Sequence, residues 1–303
     1  MINFNLPDFE MGVAIYNIVV KYQNLYPYIF YNPQDKINSV FGCYARALWN
    51  GGGVLLGAQG ICTVEGMKAM IDEYNNKMNI PLRFTFTNPL IEEKHCDDTF
   101  CNIIAETAHN GKNEILVVSP VLEEYLRKNY PNYKYIRSIV GSQNKPYDPD
   151  PKYYMSVMQR RMNNNWDYLD KIPVEHRNKI EFLCNDPCDD NCPRIYSHYL
   201  EYAKMQLSCE RTKNWKCSNR LDHPFAYQDL KIRETHISRK MIEKDYLPKG
   251  FNQFKLSGRR NLSKIIDNIV TYMIKPEYHS DMYAILYKEY REWERNVCVP
   301  YFR

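Results

Sequence analysis

Short apolar runs alternate along the chain with longer segments in which apolar residues recur every three or four positions. The short runs predict eight strands, over residues 36–43, 82–87, 114–118, 134–140, 153–158, 179–183, 235–237 and 251–256. The longer segments predict helices over residues 9–26, 64–78, 97–108, 122–129, 166–171, 196–207, 239–246, 262–274 and 280–294. The pattern therefore indicates that strands and helices follow one another through most of the chain.

Regular alternation of strands with helices is typical of a parallel sheet. Eight strands are the number that closes a (β/α)8 barrel, whereas an open doubly wound sheet usually carries a glycine fingerprint after its first strand, which this chain lacks. We therefore predict an α/β protein with a TIM-like (β/α)8 barrel. Since no linker, repeat or low-complexity tract divides the 303 residues, we expect a single barrel domain with an N-terminal helical extension (1–35), the barrel itself (36–276) and a C-terminal helix (277–303).

The charge balance narrows the choice of partners only slightly. The 40 basic and 36 acidic residues give a net charge of +4, which demands no polyelectrolyte partner but is compatible with a local basic surface. The longest apolar-leaning run, residues 11–20, is too short to span a bilayer, and no signal peptide is recognisable. We therefore expect a cytoplasmic protein that makes no membrane contact. Nothing in the sequence indicates its oligomeric state.

Half of the ten cysteines fall within about a tenth of the chain. Cys184, Cys188 and Cys192 recur every four positions after a predicted strand, and Cys209 and Cys217 follow. In a reducing compartment such thiols indicate metal ligation rather than disulfides, and thiolates bind zinc or iron–sulfur clusters. We predict that Cys188, Cys192, Cys209 and Cys217 are the ligands, with Cys184 as the alternative to Cys217 for the fourth position.

Polar side chains also follow several of the predicted strands. Active sites of parallel barrels are built at the carboxyl ends of the strands, where Asn88, Asn185 and Arg259 are expected to lie. We predict that these three side chains position a substrate. Their alternative roles are structural, because asparagine often caps a strand end through local backbone hydrogen bonds and an arginine pairs readily with a surface carboxylate.

Three consecutive glycines occupy residues 51–53. Glycines let the backbone turn sharply or approach another group closely. The Lys-Ser/Thr pair that would complete a phosphate-binding loop is missing, so the sequence favours a plain loop.

One segment is more specific than the rest. Residues 250–259, GFNQFKLSGR, resemble the FKIEGR strand of the collagenase-like U-thirty-two (U32) peptidase family, and cysteines after an earlier barrel strand are that family's other hallmark. Residues 83–89 (RFTFTNP), 113–120 (NEILVVSP) and 236–238 (HIS) are also similar to its divergent members. Ser257 stands where the family motif has glutamate.

The resemblance implies a partly irregular (β/α)8 barrel with a four-iron four-sulfur cluster (4Fe-4S) held by four cysteines. Some relatives perform oxygen-independent hydroxylation of RNA bases or of quinone precursors, and others carry a peptidase label. On this resemblance we expect an iron–sulfur-dependent enzyme that modifies RNA or a small metabolite and receives electrons from a donor protein.

Two alternative functions stay open at the level of sequence. The first is a peptidase, for which Cys43 with the distant His236 is the available nucleophile and base. The second is a non-catalytic barrel in which the thiols hold zinc and the surface binds RNA or a protein. Basic and aromatic residues interleave over residues 152–166, which is compatible with RNA stacking and phosphate contact.

Overall fold

The computed structural model describes residues 1–56, 63–141, 145–186, 188, 192–211 and 233–298. Eight parallel strands close into a barrel in chain order, each one pairing with the next and the last with the first. The strands are β1 (Asn3–Pro7), β2 (Lys36–Gly42), β3 (Leu82–Phe86), β4 (Glu114–Val117), β5 (Lys134–Arg137), β6 (Met155–Val157), β7 (Ile180–Leu183) and β8 (Gln253–Lys255). The predicted TIM-like (β/α)8 barrel is confirmed.

Helices connect the strands and continue beyond the last one. They are α1 (Phe9–Leu25), α2 (Val64–Asp72), α3 (Thr99–Thr107), α4 (Pro120–Asn129), α5 (Trp166–Leu169), α6 (Val174–Arg177), α7 (Ile195–Ser208), α8 (Arg239–Met241), α9 (Leu262–Met273) and α10 (His279–Trp293). Wider π turns extend three of them, over Glu73–Lys77, Ile242–Tyr246 and Glu294–Cys298. Short 3-10 turns lie at Pro27–Ile29, Glu93–His95, Ile139–Gly141, Arg160–Met162, Leu247–Lys249 and Pro276–Tyr278. Within the described ranges, no helix combines the length and the apolar character that crossing a bilayer requires.

The strand count of eight is right, but two of the assignments are wrong. The first predicted strand, residues 36–43, is the second strand of the barrel, because β1 lies within the predicted N-terminal helical extension. Residues 235–237 are the end of a turn followed by irregular chain and not a strand, although the Ile237 N–H donates to the Cys184 carbonyl (3.0 Å). The strand β1 escapes pattern analysis because its polar residues Asn3 and Asn5 are buried.

The barrel interior carries charge where most TIM barrels have branched apolar side chains. Arg83 of β3 donates from Nε to Oε2 of Glu114 on β4 (2.7 Å) and from Nη1 to Glu181 on β7. Its Nη2 lies 3.2 Å from Oδ1 of Asn5 on β1. Both ion pairs are fully buried, so the three charges must satisfy one another. The network therefore joins four strands from inside the barrel.

We expect Arg83→Met to lower the free energy of unfolding by about 3–5 kcal/mol, because Glu114 and Glu181 would be left as buried carboxylates without their cation. Chemical denaturation measures this change. The control is Lys94→Met, which removes an exposed pair with Glu92 and should change the stability by less than about 1 kcal/mol. Similar losses in the two variants would contradict the role given to the buried network.

Candidate active site at the carboxyl ends of the strands

A cleft opens where β1, β2 and β8 end, and it encloses about 400 Å³ of space that is partly open to solvent. Its polar lining consists of Asp8, Glu10, Cys43, Arg259 and Arg260. Asp8 follows β1, Cys43 follows β2, and the two arginines lie on the turn after β8. Parallel strands bring these chain positions to one end of the barrel, which is where barrel enzymes build their active sites.

Asp8 forms hydrogen bonds that join the turns after β1 and β8. Its Oδ1 accepts the Met11 N–H (2.9 Å) and caps α1, and its Oδ2 accepts the Arg260 N–H (2.7 Å). Asp8 and Arg260 both have positive φ, 67° and 60°. This conformation is costly for residues other than glycine and is held here by the hydrogen bonds between the two turns. Both carboxylate oxygens of Asp8 therefore hold backbone N–H groups in place.

Glu10 has a pKa close to neutrality. Burial, and then the negative charge of Asp8, raise its pKa to about 7, while Arg260 acts in the opposite direction. A carboxyl group with a pKa near the working pH can both donate and accept a proton. Sequence analysis missed Glu10 and Asp8 because it missed β1. Asp8 could have been predicted as a helix N-cap, because it directly precedes the first apolar residue of the periodic pattern of α1.

Cys43 faces the same cleft as a neutral thiol. Burial raises its pKa to about 12, and the hydrogen bond from the Tyr44 backbone and the charge of Arg259 lower it only in part. The electrostatic neighbours of the thiol are Arg259 and Glu10. The backbone carbonyl of His236, the base considered for a peptidase, accepts a hydrogen bond from Asn164 Nδ2 (3.0 Å). The raised pKa of Cys43 gives no support to a thiolate nucleophile.

Arg259 lies under the glycine run that follows β2. Its Nη1 is 3.3 Å from Thr85 Oγ1 and 3.5 Å from Asn50 Oδ1, and its Nη2 is 3.5 Å from the Gly51 carbonyl. A Cβ atom on Gly53 would stand 2.9 Å from Nη2, and one on Gly51 would overlap the chain after β3. The glycines therefore permit a close backbone approach, and the group approached at Gly53 is a guanidinium.

Asn88 is fully buried behind the strand ends. Its Nδ2 donates to the carbonyls of Leu48 (3.1 Å) and Ala203 (3.1 Å), and its Oδ1 accepts the Leu90 N–H (3.0 Å). Its amide therefore bonds to the protein itself, as a structural cap would. A role for Asn88 in substrate positioning stays a prediction.

Asn185 bridges the ends of β7 and β8. Its Oδ1 accepts the Ser257 N–H (2.6 Å), and its Nδ2 donates to Oδ1 of Asn268 on α9 (2.7 Å). The Ser257 hydroxyl returns a hydrogen bond to the Asn185 carbonyl (2.8 Å). These bonds fix the turn that presents Arg259. Asn185 thus supports the candidate site from behind, and its contact with a substrate stays a prediction.

Helix α7 packs over the loop that follows β2. Gln206, fully buried, donates from Nε2 to the Ala47 carbonyl (3.0 Å) and accepts the Leu55 N–H at Oε1 (2.8 Å). At the other end of the helix, Tyr199 has a pKa raised by burial, and its charged neighbours include Arg160 and Arg259. The helix therefore covers part of the barrel mouth.

The cysteines predicted as ligands are distributed around this helix. The Cys188 carbonyl, after β7, accepts hydrogen bonds from Arg160 Nη1 and Arg233 Nη1, both at 2.6 Å. Cys192 stands just before α7, and Cys209 is its exposed C-cap with φ of 54°. Cys184 is fully buried in the core, with its thiol 3.8 Å from the Phe182 carbonyl. Cys217 lies outside the described residues.

Cys188, Cys192 and Cys209 do not fit one metal ion or cluster together. Helix α7 has 14 residues and is therefore about 20 Å long, with Cys192 before one end and Cys209 at the other. Zinc–sulfur bonds are about 2.3 Å, so ligands of one ion must converge within a few ångströms. In the part of the chain that the structure describes, no three His, Cys, Asp or Glu residues are grouped to hold a metal. The 4Fe-4S cluster, or zinc in its place, stays a prediction.

We expect Gln206→Ala to weaken the contact of α7 with the loop after β2 by about 1–3 kcal/mol, because buried backbone groups would lose their partners. Hydrogen exchange measures this at the Leu55 amide, which should exchange at least about tenfold faster. Lys204→Ala on the same helix is the control, since that side chain is exposed and, among the described residues, pairs with Glu201 alone. Unchanged exchange in Gln206→Ala would contradict the contact.

The strands and the cleft together define a class, an eight-stranded parallel β/α barrel with a polar cleft at the carboxyl ends of its strands. Comparison with known proteins adds little to this description of the fold. No family model matches the chain, and no curated protein matches it. A solved structure of a U32 peptidase, Mk0906, is similar with a TM-score of 0.49 and 9% identity, over 86% of this chain and 94% of that one. Membership of the U32 family stays a prediction.

Proposed function

We propose that the protein is an enzyme that carries out acid–base chemistry on a small anionic substrate in the cleft of Glu10 and Arg259. The observation that carries this proposal is that a carboxyl group with a pKa of about 7 and a partly buried guanidinium line one cleft. Clefts with perturbed titratable groups are candidates for catalysis, and the carboxyl end of a barrel is the usual place for it.

Arg259 would bind the anionic group. Its contacts are long, between 3.3 and 3.5 Å, and all are to neutral oxygens. No carboxylate among the described residues forms an ion pair with it, and burial lowers its pKa. A carboxylate or phosphate of a substrate would supply the missing counter-charge, and the fork of guanidinium donors suits both groups.

Glu10 would move the proton. The two neighbouring carboxyl groups differ in their hydrogen bonding. Asp8 accepts hydrogen bonds from two backbone N–H groups, whereas the Glu10 side chain forms no hydrogen bond within the described chain. Burial, followed by the negative charge of Asp8, raises the pKa of Glu10 and so favours its neutral form. A carboxyl group that stays protonated near neutral pH can act as a general acid.

Thermal unfolding in the presence of a panel of small carboxylates and phosphates tests the anion site. At about a hundredfold excess over its Kd, a ligand of the cleft should stabilise the wild type by about 2.7 kcal/mol. Arg259→Met should abolish the stabilisation, because the counter-charge is removed. The control Arg161→Met removes an exposed arginine and should retain it. Equal ligand responses in the two variants, or none in the wild type, would overturn the proposal.

A metal at the cysteine segment is a second proposal, supported by the position of Cys188 and Cys192. Both are partly buried and stand between the carboxyl end of β7 and α7, on the same face of the barrel as the cleft. A bound cluster would supply the redox chemistry of the hydroxylation hypothesis, with RNA or a small molecule as substrate and an electron donor protein. Bound zinc would instead be structural, in a barrel that binds RNA or a protein.

Iron, zinc and sulfide analysis of anaerobically purified protein tests the metal proposal. We expect Cys188→Ala to lose the metal and Cys209→Ala to keep it, because α7 separates Cys209 from the other two thiols. Loss of metal from both variants would show that the thiols converge, and it would contradict the separation described above. A wild type without iron or zinc would end the proposal.

A further inference from the structure

Lys255 lies inside the barrel, below the candidate site. Phe254 points away from the barrel axis, where its ring packs on Phe182 and Tyr246, so the next residue of β8 faces inward. The Nζ atom of Lys255 stands 3.9 Å from the centre of the Phe41 ring. The residue as a whole is partly buried.

No carboxylate of the described residues is paired with the amine. Across the described ranges, Nζ of Lys255 forms neither a hydrogen bond nor an ion pair. Glu181 faces it from β7, but that carboxylate is already paired with Arg83 of β3, whose cation is shared with Glu114 of β4. A lysine that serves only to balance charge inside a barrel would be expected to form an ion pair.

Its surroundings make the Lys255 amine easier to deprotonate than that of an ordinary lysine. Burial lowers the pKa of Lys255 to about 8, the charge of Glu181 opposes this, and Arg83 below and Arg259 above add to it. An uncharged amine is a nucleophile, and lysines next to other cations are activated in this way.

Asn5 supplies a hydrogen-bond donor at the same level. It is the direct neighbour of Lys255 in the pairing of β1 with β8. Its Oδ1 accepts from Ser39 Oγ (2.7 Å), Asn38 Nδ2 (3.0 Å) and Arg83 Nη2 (3.2 Å), which fixes the orientation of the amide. Its fully buried Nδ2 has no acceptor within the described chain. A buried donor of this kind is costly unless a bound group accepts from it.

We propose that Lys255 is a nucleophile that forms an imine with a small carbonyl compound carrying an anionic group. The carbonyl oxygen would accept from Asn5 Nδ2, and the anionic group would bind Arg259, a part that rests on the proposed function. The Nζ lone pair attacks the carbonyl carbon, the C=O π electrons move to oxygen, and a proton released by the nitrogen passes to that oxygen. The resulting carbinolamine loses its hydroxyl group and a nitrogen-bound proton as water, which leaves a C=N bond.

Reductive trapping tests the proposal. The full chain is treated near pH 8 with glyoxylate and cyanoborohydride, which converts an imine into a stable carboxymethyl-lysine that peptide mapping locates. We expect Lys255 to be labelled at least about tenfold faster than the exposed Lys36 and Lys128, because an ordinary lysine has a pKa of about 10.4 and is almost fully protonated at this pH. Acetaldehyde, which has no anionic group, serves as the second probe.

Labelling of Lys255 no faster than that of Lys128 by either aldehyde would overturn the imine proposal, whatever the result of the anion-binding test. Arg259→Met should reduce the ratio of glyoxylate to acetaldehyde labelling at Lys255 by about tenfold, the loss expected for one charge-assisted contact. Preferential labelling with an unchanged ratio would support the nucleophile and overturn the anion site. The wild-type comparison remains decisive if that variant fails to fold.

Discussion

The buried pairing of Arg83 with Glu114 and Glu181 is the constraint on which the rest of the structure depends. Three charges in the interior of a closed barrel are tolerated only if the strands that carry them keep a fixed register. Asn5 adds β1 to the same network, so the strand that precedes the candidate acid is held by polar contacts inside the barrel as well as by its neighbours. The apolar residues Leu116, Ile136, Met155 and Val157 fill the adjoining part of the interior.

Polar side chains continue from this network to the mouth of the barrel. Thr85 stands two residues after Arg83 on β3 and therefore faces the same side, and its hydroxyl donates to Asn50 Oδ1 (2.7 Å). Arg259 lies against both of these groups, beneath the glycine loop. Lys255 is located between the two arginines. Burial at this end of the barrel is the main reason why the pKa values of Lys255 and Arg259 are lowered.

The sequence allowed the barrel to be predicted because strand and helix periods are local properties. It did not reveal β1, since Asn3 and Asn5 are polar residues that are buried only through partners on distant strands. Asp8 and Glu10 were missed as a consequence. For the cysteines, closeness in sequence was misleading. Cys192 and Cys209 are near in sequence, but helix α7 between them keeps them far apart in space. Strand-end positions were predicted correctly for Asn88 and Asn185, whereas their hydrogen bonds depend on tertiary contacts.

A titration of the Glu10 side-chain carboxyl by carbon NMR tests most directly the claim that the cleft holds a proton-transferring group. Burial next to the charge of Asp8 predicts a midpoint near pH 7 in the folded protein. The resonance should also shift to a higher midpoint in Arg260→Met, because that cation favours the ionised form. A midpoint near 4.3, the ordinary value for glutamate, would mean that Glu10 is solvated like a surface carboxylate, and it would contradict an acid–base site in this cleft.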